Sequence, residues 1–293
     1  MPQASPSRGD SLVPGGEFSM SWSDFRQIAQ LVHAGAGIAL TESKVNLVYS
    51  RLAKRLRAAG LKSFRDYCEL INSSEGTDER QAMIAALTTN VTRFFREKHH
   101  FDHVRDQLLP QLATRARAGE RIRLWSAGCS SGEEPYSLAL TLLDAVPNAA
   151  EQDILILASD IDPAMLAHAE RGVYRVNQLE DIPLASRRNR LEMIKSGGEM
   201  SFRIGEQVRQ LVRFRELNLL GSWPMAGKFD AIFCRNVMIY FDEPTQHRLC
   251  ERFADILDEN GMLYIGHSER VGADLPFELV TQTGYRVRKG AAS

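Results

Sequence analysis

From Arg121 onward, short apolar runs alternate with longer amphipathic ones, and no other feature of the sequence limits the fold as tightly. The candidate strands at 122–126, 154–159, 212–216, 231–234 and 262–266 are built on apolar runs of four to six residues. Such runs read as strands buried on both faces, and therefore as a parallel sheet with helices on either side. The pattern breaks near the end. Segments 277–281 and 285–288 are separated only by Gln282-Thr-Gly284, which leaves room for a hairpin but not for a crossover helix. The last strand is therefore expected to run antiparallel.

Before this region the texture is helical. Phe25, Ile28, Ala29 and Val32 recur at three- and four-residue spacing. Thr41 is expected to cap a helix that runs to Ala59 and stops at Gly60, while Ser63 and Thr77 are expected to cap two more. The expected organisation is a disordered segment at 1–20, a helical domain at 21–92, a linker helix at 93–118 and an α/β domain at 119–293. Residues 172–211 are too long for a plain connection, so an inserted helix plus a small antiparallel β-subdomain is expected there, with a strand at 200–204.

Bulk properties exclude several classes. A formal net charge of -1 gives no support to nucleic-acid binding. No apolar run reaches the ~18 residues of a membrane span, so direct membrane insertion is not expected. Cys68, Cys129, Cys234 and Cys250 are scattered with no CxxC pair, which points to a reduced, cytoplasmic setting. A monomer is the expected state.

Four positions carry chemistry. In Leu124-Trp-Ser-Ala-Gly-Cys-Ser-Ser-Gly-Glu-Glu-Pro-Tyr-Ser137, Gly128 and Gly132 make a strand-to-helix turn without the close Gly-x-Gly pair of a dinucleotide fingerprint. Glu133 and Glu134 at the helix entry would repel a diphosphate, so a phosphate-free, cationic cofactor fits better; a merely tight turn is the plainer alternative. Asp160 ends the next strand, where an acid can take ribose hydroxyls, and Asp162 before Pro163 is placed to cap a helix. Arg235, Asn236 and Tyr240 follow the apolar run at 229–234, again at a strand's carboxyl end. Ahead of the sheet, Asn90, Thr92 and Arg96 alternate with Phe94-Phe95, as in a segment anchored over a site.

Two rivals are weaker. His99 and His103 have helical i, i+4 spacing, but no third ligand is indicated and no metal is expected; a partly exposed helix face explains them. Gly128, Ser130 and Gly132 satisfy the spacing of a nucleophile elbow, with His267 as a base, but this would leave the other positions unexplained.

Together these residues resemble the CheR family of chemotaxis receptor glutamate O-methyltransferases. The resemblance rests on Asn90-Val-Thr-Arg-Phe-Phe-Arg-Glu97, the stretch 125–137, Ala158-Ser-Asp-Ile-Asp162, Asn218-Leu-Leu220, 229–241 and Gly266-His-Ser-Glu269, in the family's order. It implies an α/β class I S-adenosylmethionine-dependent methyltransferase fold, with a Rossmann-like, mostly parallel sheet ending in an antiparallel hairpin. A small N-terminal all-α domain and an inserted small β-subdomain complete the expected architecture. The cofactor would be S-adenosyl-L-methionine, leaving S-adenosyl-L-homocysteine. Asn90, Thr92, Arg96, Glu134, Asp160, Asn218, Leu219, Arg235 and Asn236 match the family's cofactor contacts, with Glu133 and Glu134 not separable. Arg96 and Tyr240 match residues near the transferring methyl.

The implied partner is the cytoplasmic helical region of chemotaxis receptors, and in some members a receptor C-terminal pentapeptide binds the β-subdomain. Lys44, Arg51, Lys54, Arg55 and Arg57 crowd one expected helix and form the candidate receptor-docking face, set against a merely solvated one. The implied function is methylation of receptor glutamates for sensory adaptation. The alternative is a non-enzymatic S-adenosylmethionine-sensing or receptor-adaptor module of the same fold.

Overall fold

The computed structural model describes residues 11–288. The chain forms two compact units. One runs up to Thr89 and includes Tyr240–Asp242; the other holds Asn90–Ile239 and the chain from Glu243.

The first unit is helical. Helix α1 (Trp22–Ala36) opens with a capping box, Ser21 accepting from the Asp24 N–H and the Asp24 carboxylate from that of Ser21. It closes on Gly37, whose φ of 69° suits glycine. A short 3-10 turn (Glu42–Lys44) precedes α2 (Val45–Ala58), so Thr41 does not cap one long helix as expected and makes no side-chain cap bond. Ser63 does cap α3 (Phe64–Asn72), accepting from the Asp66 N–H. Thr77 is the first residue of α4 (Thr77–Leu87), and Gly76 takes the cap position. Only glycine fits at 76, since a Cβ there would stand 1.9 Å from the Leu70 carbonyl oxygen.

Residues 11–20 are folded, against the expectation of disorder; 1–10 lie outside the described residues. Phe18 and Met20 are buried, and Phe18 N–H donates to the Tyr49 hydroxyl. Two apolar side chains repay the ordering of a Pro/Gly-rich segment that composition alone assigns to coil.

The basic face of α2 is also corrected. Arg51 donates to the carbonyls of Leu87 and Thr88, where α4 leaves them unpaired. Arg55 pairs with Glu79, which also accepts from the Tyr67 hydroxyl at 2.8 Å. Arg57 pairs with Glu17 at the surface. Lys44 and Lys54 are exposed, with no ion-pair partner among the described residues.

The second unit is built on a seven-stranded sheet. Residues 90–97 lead into a helical layer of α5 (Lys98–His103), one π turn (Val104–Leu108) and α6 (Leu109–Arg117). This is no free linker: Phe101, Val104, Leu108, Leu112 and Ala116 enter the core beneath the sheet. Then follow β1 (Ile122–Ala127), α7 (Glu133–Ala145), β2 (Ile154–Asp160) and α8 (Pro163–Arg171). The insertion holds β3 (Val173–Arg175), α9 (Leu184–Arg187), β4 (Leu191–Ser196), β5 (Glu199–Ile204) and α10 (Glu206–Arg209). The chain returns through β6 (Val212–Glu216), β7 (Phe229–Cys234), α11 (Glu243–Ile256), β8 (Leu257–Ile265), β9 (Phe277–Thr281) and β10 (Gly284–Val287).

The sheet order is β6-β2-β1-β7-β8-β10-β9. The first five strands are parallel neighbours, and β10 lies antiparallel between β8 and β9, as the hairpin signal predicts. The insertion forms a separate antiparallel sheet, β3-β5-β4, that matches the small β-subdomain in kind. No helix among the described residues is long and apolar enough to cross a membrane.

Glu79→Ala leaves the buried Tyr67 hydroxyl and Arg55 without their acceptor. It should lower the unfolding free energy by about 1–3 kcal/mol in denaturant titration, whereas Lys54→Glu should change it by less than about 0.5 kcal/mol.

Candidate active site

Strand β1 has β2 on one side and β7 on the other, so the chain direction across the sheet reverses beside it. Ligands of open α/β sheets sit at the carboxyl ends of strands at such a point. The turn after β1 is shaped by its glycines. Gly128 and Gly132 have φ of 84° and 97°; a Cβ on the first would stand 2.5 Å from Val237 Cγ2 and on the second 2.7 Å from Ala169 Cβ. Ser130, also left-handed at 49°, donates its N–H to Asp160 Oδ2 at 2.7 Å and its hydroxyl to the Asn90 carbonyl. This binds Ser130 into the turn and leaves no Ser-His pair, because His267 is bonded to Glu97 instead.

Asp160 is buried at the end of β2, and Oδ1 accepts the Asp162 N–H at 2.9 Å. Burial pushes its carboxyl above the usual range, against the pull of those backbone donors. An ionised carboxylate has about four lone-pair sites, and the backbone N–H groups of Ser130, Asp162 and Ile161 do not use all of them, so room is left for a hydroxyl donor. Asp162 caps α8, accepting from the Ala164 N–H, while its other oxygen takes the Asn90 side-chain amide at 2.9 Å. Leu217 N–H donates to the Asp160 carbonyl, which brings Asn218-Leu219 to the same strand ends. Asn218 Oδ1 turns the chain by accepting the Leu220 N–H, and Leu219 is buried.

The two glutamates at the entry to α7 separate here. Glu133 accepts from Ser131 and Gln178. Glu134 accepts from Ser126 of β1 at 2.6 Å and from Arg235 at 3.0 Å, which sets it between the ends of β1 and β7. Burial raises the Glu134 pKa, with Arg235 and Ser126 opposing.

Arg235 is buried; it donates to Glu134 and to the Arg96 carbonyl, and it forms an ion pair with Glu97 at 3.3 Å in which the Glu97 oxygen takes no hydrogen bond. Glu97 behaves oppositely to Glu134. Burial would raise its pKa, but the Arg235 charge and hydrogen bonds from His267 bring it to about 2. Asn236, with φ of 60°, donates its N–H to Glu269, and its buried Oδ1 has no partner among the described residues. Glu269 also accepts from the N–H groups of Gly266 and Ile239, fastening the loops after β7 and β8 together.

The 90–97 strap is anchored as its aromatics predict. Phe94 packs edge-on to Tyr174, and Phe95 N–H donates to Ser137. Thr92 is half-buried on the strap, and Arg96 donates to the Val91 carbonyl at 2.9 Å. Asn90, Thr92, Arg96, Glu134, Asp160, Asn218, Leu219, Arg235 and Asn236 thus all belong to the second unit. Tyr240 does not. It groups with the helical unit, where Ala39 N–H donates to its carbonyl and Asp242 pairs with His33.

Sequence reasoning missed Glu97 and Glu269 as organising acids, although both lie in motifs singled out there. His99 and His103 are half-buried, in keeping with a partly exposed helix face, but His100 between them departs from it. His100 is fully buried, bonded to Thr283 at 2.9 Å and lowered by burial to about 3, while His103 bonds to Tyr264. Glu97, His99 and His100 bring three possible ligand atoms within 4.8 Å, but the Arg235 guanidinium already compensates that carboxylate.

Gly132→Ala combines left-handed strain with a clash against Ala169 and Tyr174. It should destabilise the protein by about 2–5 kcal/mol and weaken cofactor binding, as read by thermal unfolding and calorimetry.

Comparison with known proteins agrees with this geometry. Residues 90–286 match the family model described as the CheR methyltransferase SAM binding domain, and 23–88 match the CheR methyltransferase all-alpha domain. A probable chemotaxis protein methyltransferase of Rhizobium etli is 51% identical over 87% of this chain and 96% of its own. Chemotaxis protein methyltransferase 2 of Pseudomonas aeruginosa is 44% identical over 97% and 99%, and the Escherichia coli chemotaxis protein methyltransferase 41% over 92% and 93%. The fold is that of a class I methyltransferase, and its cofactor is S-adenosylmethionine. A glycine turn that seats buried acids instead of phosphate, on a sheet closed by an antiparallel hairpin, therefore places this chain in the CheR methyltransferase family.

Proposed function

We propose that the protein methylates glutamate side chains of chemotaxis receptors, forming glutamyl methyl esters for sensory adaptation. The observation that carries this reading is the surplus of buried acid around the turn. Glu97 and Glu134 share one guanidinium, and Asp160 lies buried on the next strand. A cationic cofactor without phosphate suits such a site, and a diphosphate does not.

S-adenosylmethionine supplies an electrophilic methyl group on a sulfonium. Asp160 would take the ribose hydroxyls and Glu134 the α-amino group. Asn90, Thr92, Asn218, Leu219 and Asn236 would shape the adenosyl pocket, with Arg235 holding Glu134 in place. Arg96 would contact the cofactor and orient either its methionine carboxylate or the receptor carboxylate, and Tyr240 would line the methyl path. A receptor glutamate with a pKa near ~4.3 is already ionised at pH 7, so the chain needs no general base. Its work is to align that carboxylate and exclude water.

For docking on the receptor we keep Lys44, Lys54 and Arg57. The first two are exposed and free of ion pairs among the described residues; Arg57 has only an exposed pair with Glu17, worth ~0–1 kcal/mol. Arg51 and Arg55 are withdrawn, since their guanidinium groups are spent on α4 and Glu79. A receptor pentapeptide would add to an edge of the β3-β5-β4 sheet by strand pairing. The protein would act as a monomer in the cytoplasm.

A tritiated-methyl assay on receptor-bearing membranes tests the activity. Base-labile incorporation is expected, and cofactor binding without it would favour the adaptor alternative. Arg96→Ala and Tyr240→Phe should each lower turnover, the former by about 10- to 100-fold, with the fold intact by circular dichroism. Wild-type rates in both variants would remove their assigned roles. Charge reversal at Lys44 and Lys54 should weaken receptor methylation, and added salt should do the same.

The pH dependence has a definite sign. Glu134 and Asp160 have raised pKa values because burial disfavours their charged forms. A bound sulfonium and ammonium favour those charged forms, so binding pulls protons off. Affinity for S-adenosylmethionine should fall as pH drops through the raised pKa values. Calorimetry in buffers of different ionisation enthalpy should show proton release at acidic pH, and proton uptake would contradict it.

A further inference from the structure

Arg96 is flanked by two non-glycine residues in the left-handed region, Phe95 at φ 50° and Glu97 at 55°. Each such residue is strained and persists only where its surroundings hold it there. Phe95 is held by its N–H bond to Ser137 and by packing on Phe101 at 5.1 Å. On the other side the hold is electrostatic. The same Arg235 nitrogen that pairs with Glu97 Oε2 donates to the Arg96 carbonyl. The other Glu97 oxygen accepts from the His267 ring at 3.0 Å and from its backbone N–H. The peptide after Arg96 is thus gripped from its carbonyl and from the next side chain at once.

We infer that Glu97 is a positioning residue. Through Arg235 and His267 it holds the strained backbone that aims the Arg96 side chain. A plain core ion pair does not require the arrangement seen, in which one guanidinium joins the side chain of residue 97 to the main chain of residue 96. Glu97 also keeps Arg235 from pairing with Glu134 alone, so part of the Glu134 charge stays available to a cationic ligand. The inference rests on Arg96 acting in cofactor binding, as proposed above.

The test is a double-mutant cycle read by calorimetry with S-adenosylmethionine, with KM and kcat measured in parallel on the full-length protein. E97Q keeps the shape and removes the charge; it should raise the dissociation constant and KM about tenfold, with kcat at saturation changed less. H267A leaves both charges and removes one support of Glu97; it should raise the dissociation constant about two- to threefold. The His267 side chain is 62% exposed, so this variant carries the test alone if E97Q fails to fold. In an R96A background both effects should shrink below about twofold. Binding by E97Q and H267A equal to wild type overturns the inference. So does an undiminished loss in the R96A background, because a merely structural ion pair would act independently of Arg96. R96A behaving as wild type would instead remove Arg96 from the site, and the Glu97 inference with it; that outcome is visible before either Glu97 or His267 is changed.

Discussion

The buried guanidinium of Arg235 is the interaction on which the rest of the site depends. A charge removed from water must be matched by well-placed partners, and here it meets two carboxylates and a carbonyl. One cation between two acids cannot neutralise both. Arg235 and the His267 hydrogen bonds hold the Glu97 pKa low, whereas burial prevails at Glu134. Two carboxylates around one guanidinium are therefore driven apart in pKa. The second is the one that a positively charged ligand would complete.

The sheet supplies the frame for this arrangement. Arg235 leaves the end of β7, Glu134 enters α7 just after β1, and Asp160 ends β2, so three adjacent parallel strands deliver their polar ends to one rim. Glu269 ties the loop after β8 to the loop after β7 through backbone N–H groups. The strap at 90–97 is fastened through Phe94, Ser137, Asp162 and Arg235. The strap, the turn after β1 and the loops after β7 and β8 are thus each held by at least one hydrogen bond from another element, which is what preorganisation needs.

Much of this was legible in the sequence because its signals are local. Apolar run length marked the central strands, and the Gln-Thr-Gly spacing marked the antiparallel hairpin. Glycine at 128 and 132 and acid at 160 followed from what a turn and a strand end can hold. The failures are also physical. Gly76 and not Thr77 takes the cap of α4, and the close approach to Leu70 that demands glycine there is one that local pattern cannot show. Residues 11–20 looked like coil until Phe18 and Met20 found cover. The five basic residues near α2 looked like one face, yet Arg51 and Arg55 are absorbed by α4.

The sequence by itself determined the class of fold, the order of strands and turns, the family, and which polar residues stand at strand ends, because each depends on periodicity and short-range sterics. Tertiary structure alone decided which charges pair. Arg235 meets Glu134 from 101 residues away and the Arg96 carbonyl from 139. It also grouped Tyr240 with the helical unit and not with the strand that precedes it. Such choices turn on which distant groups arrive together out of water, and the strength of a charge pair is set by that burial, not by spacing along the chain.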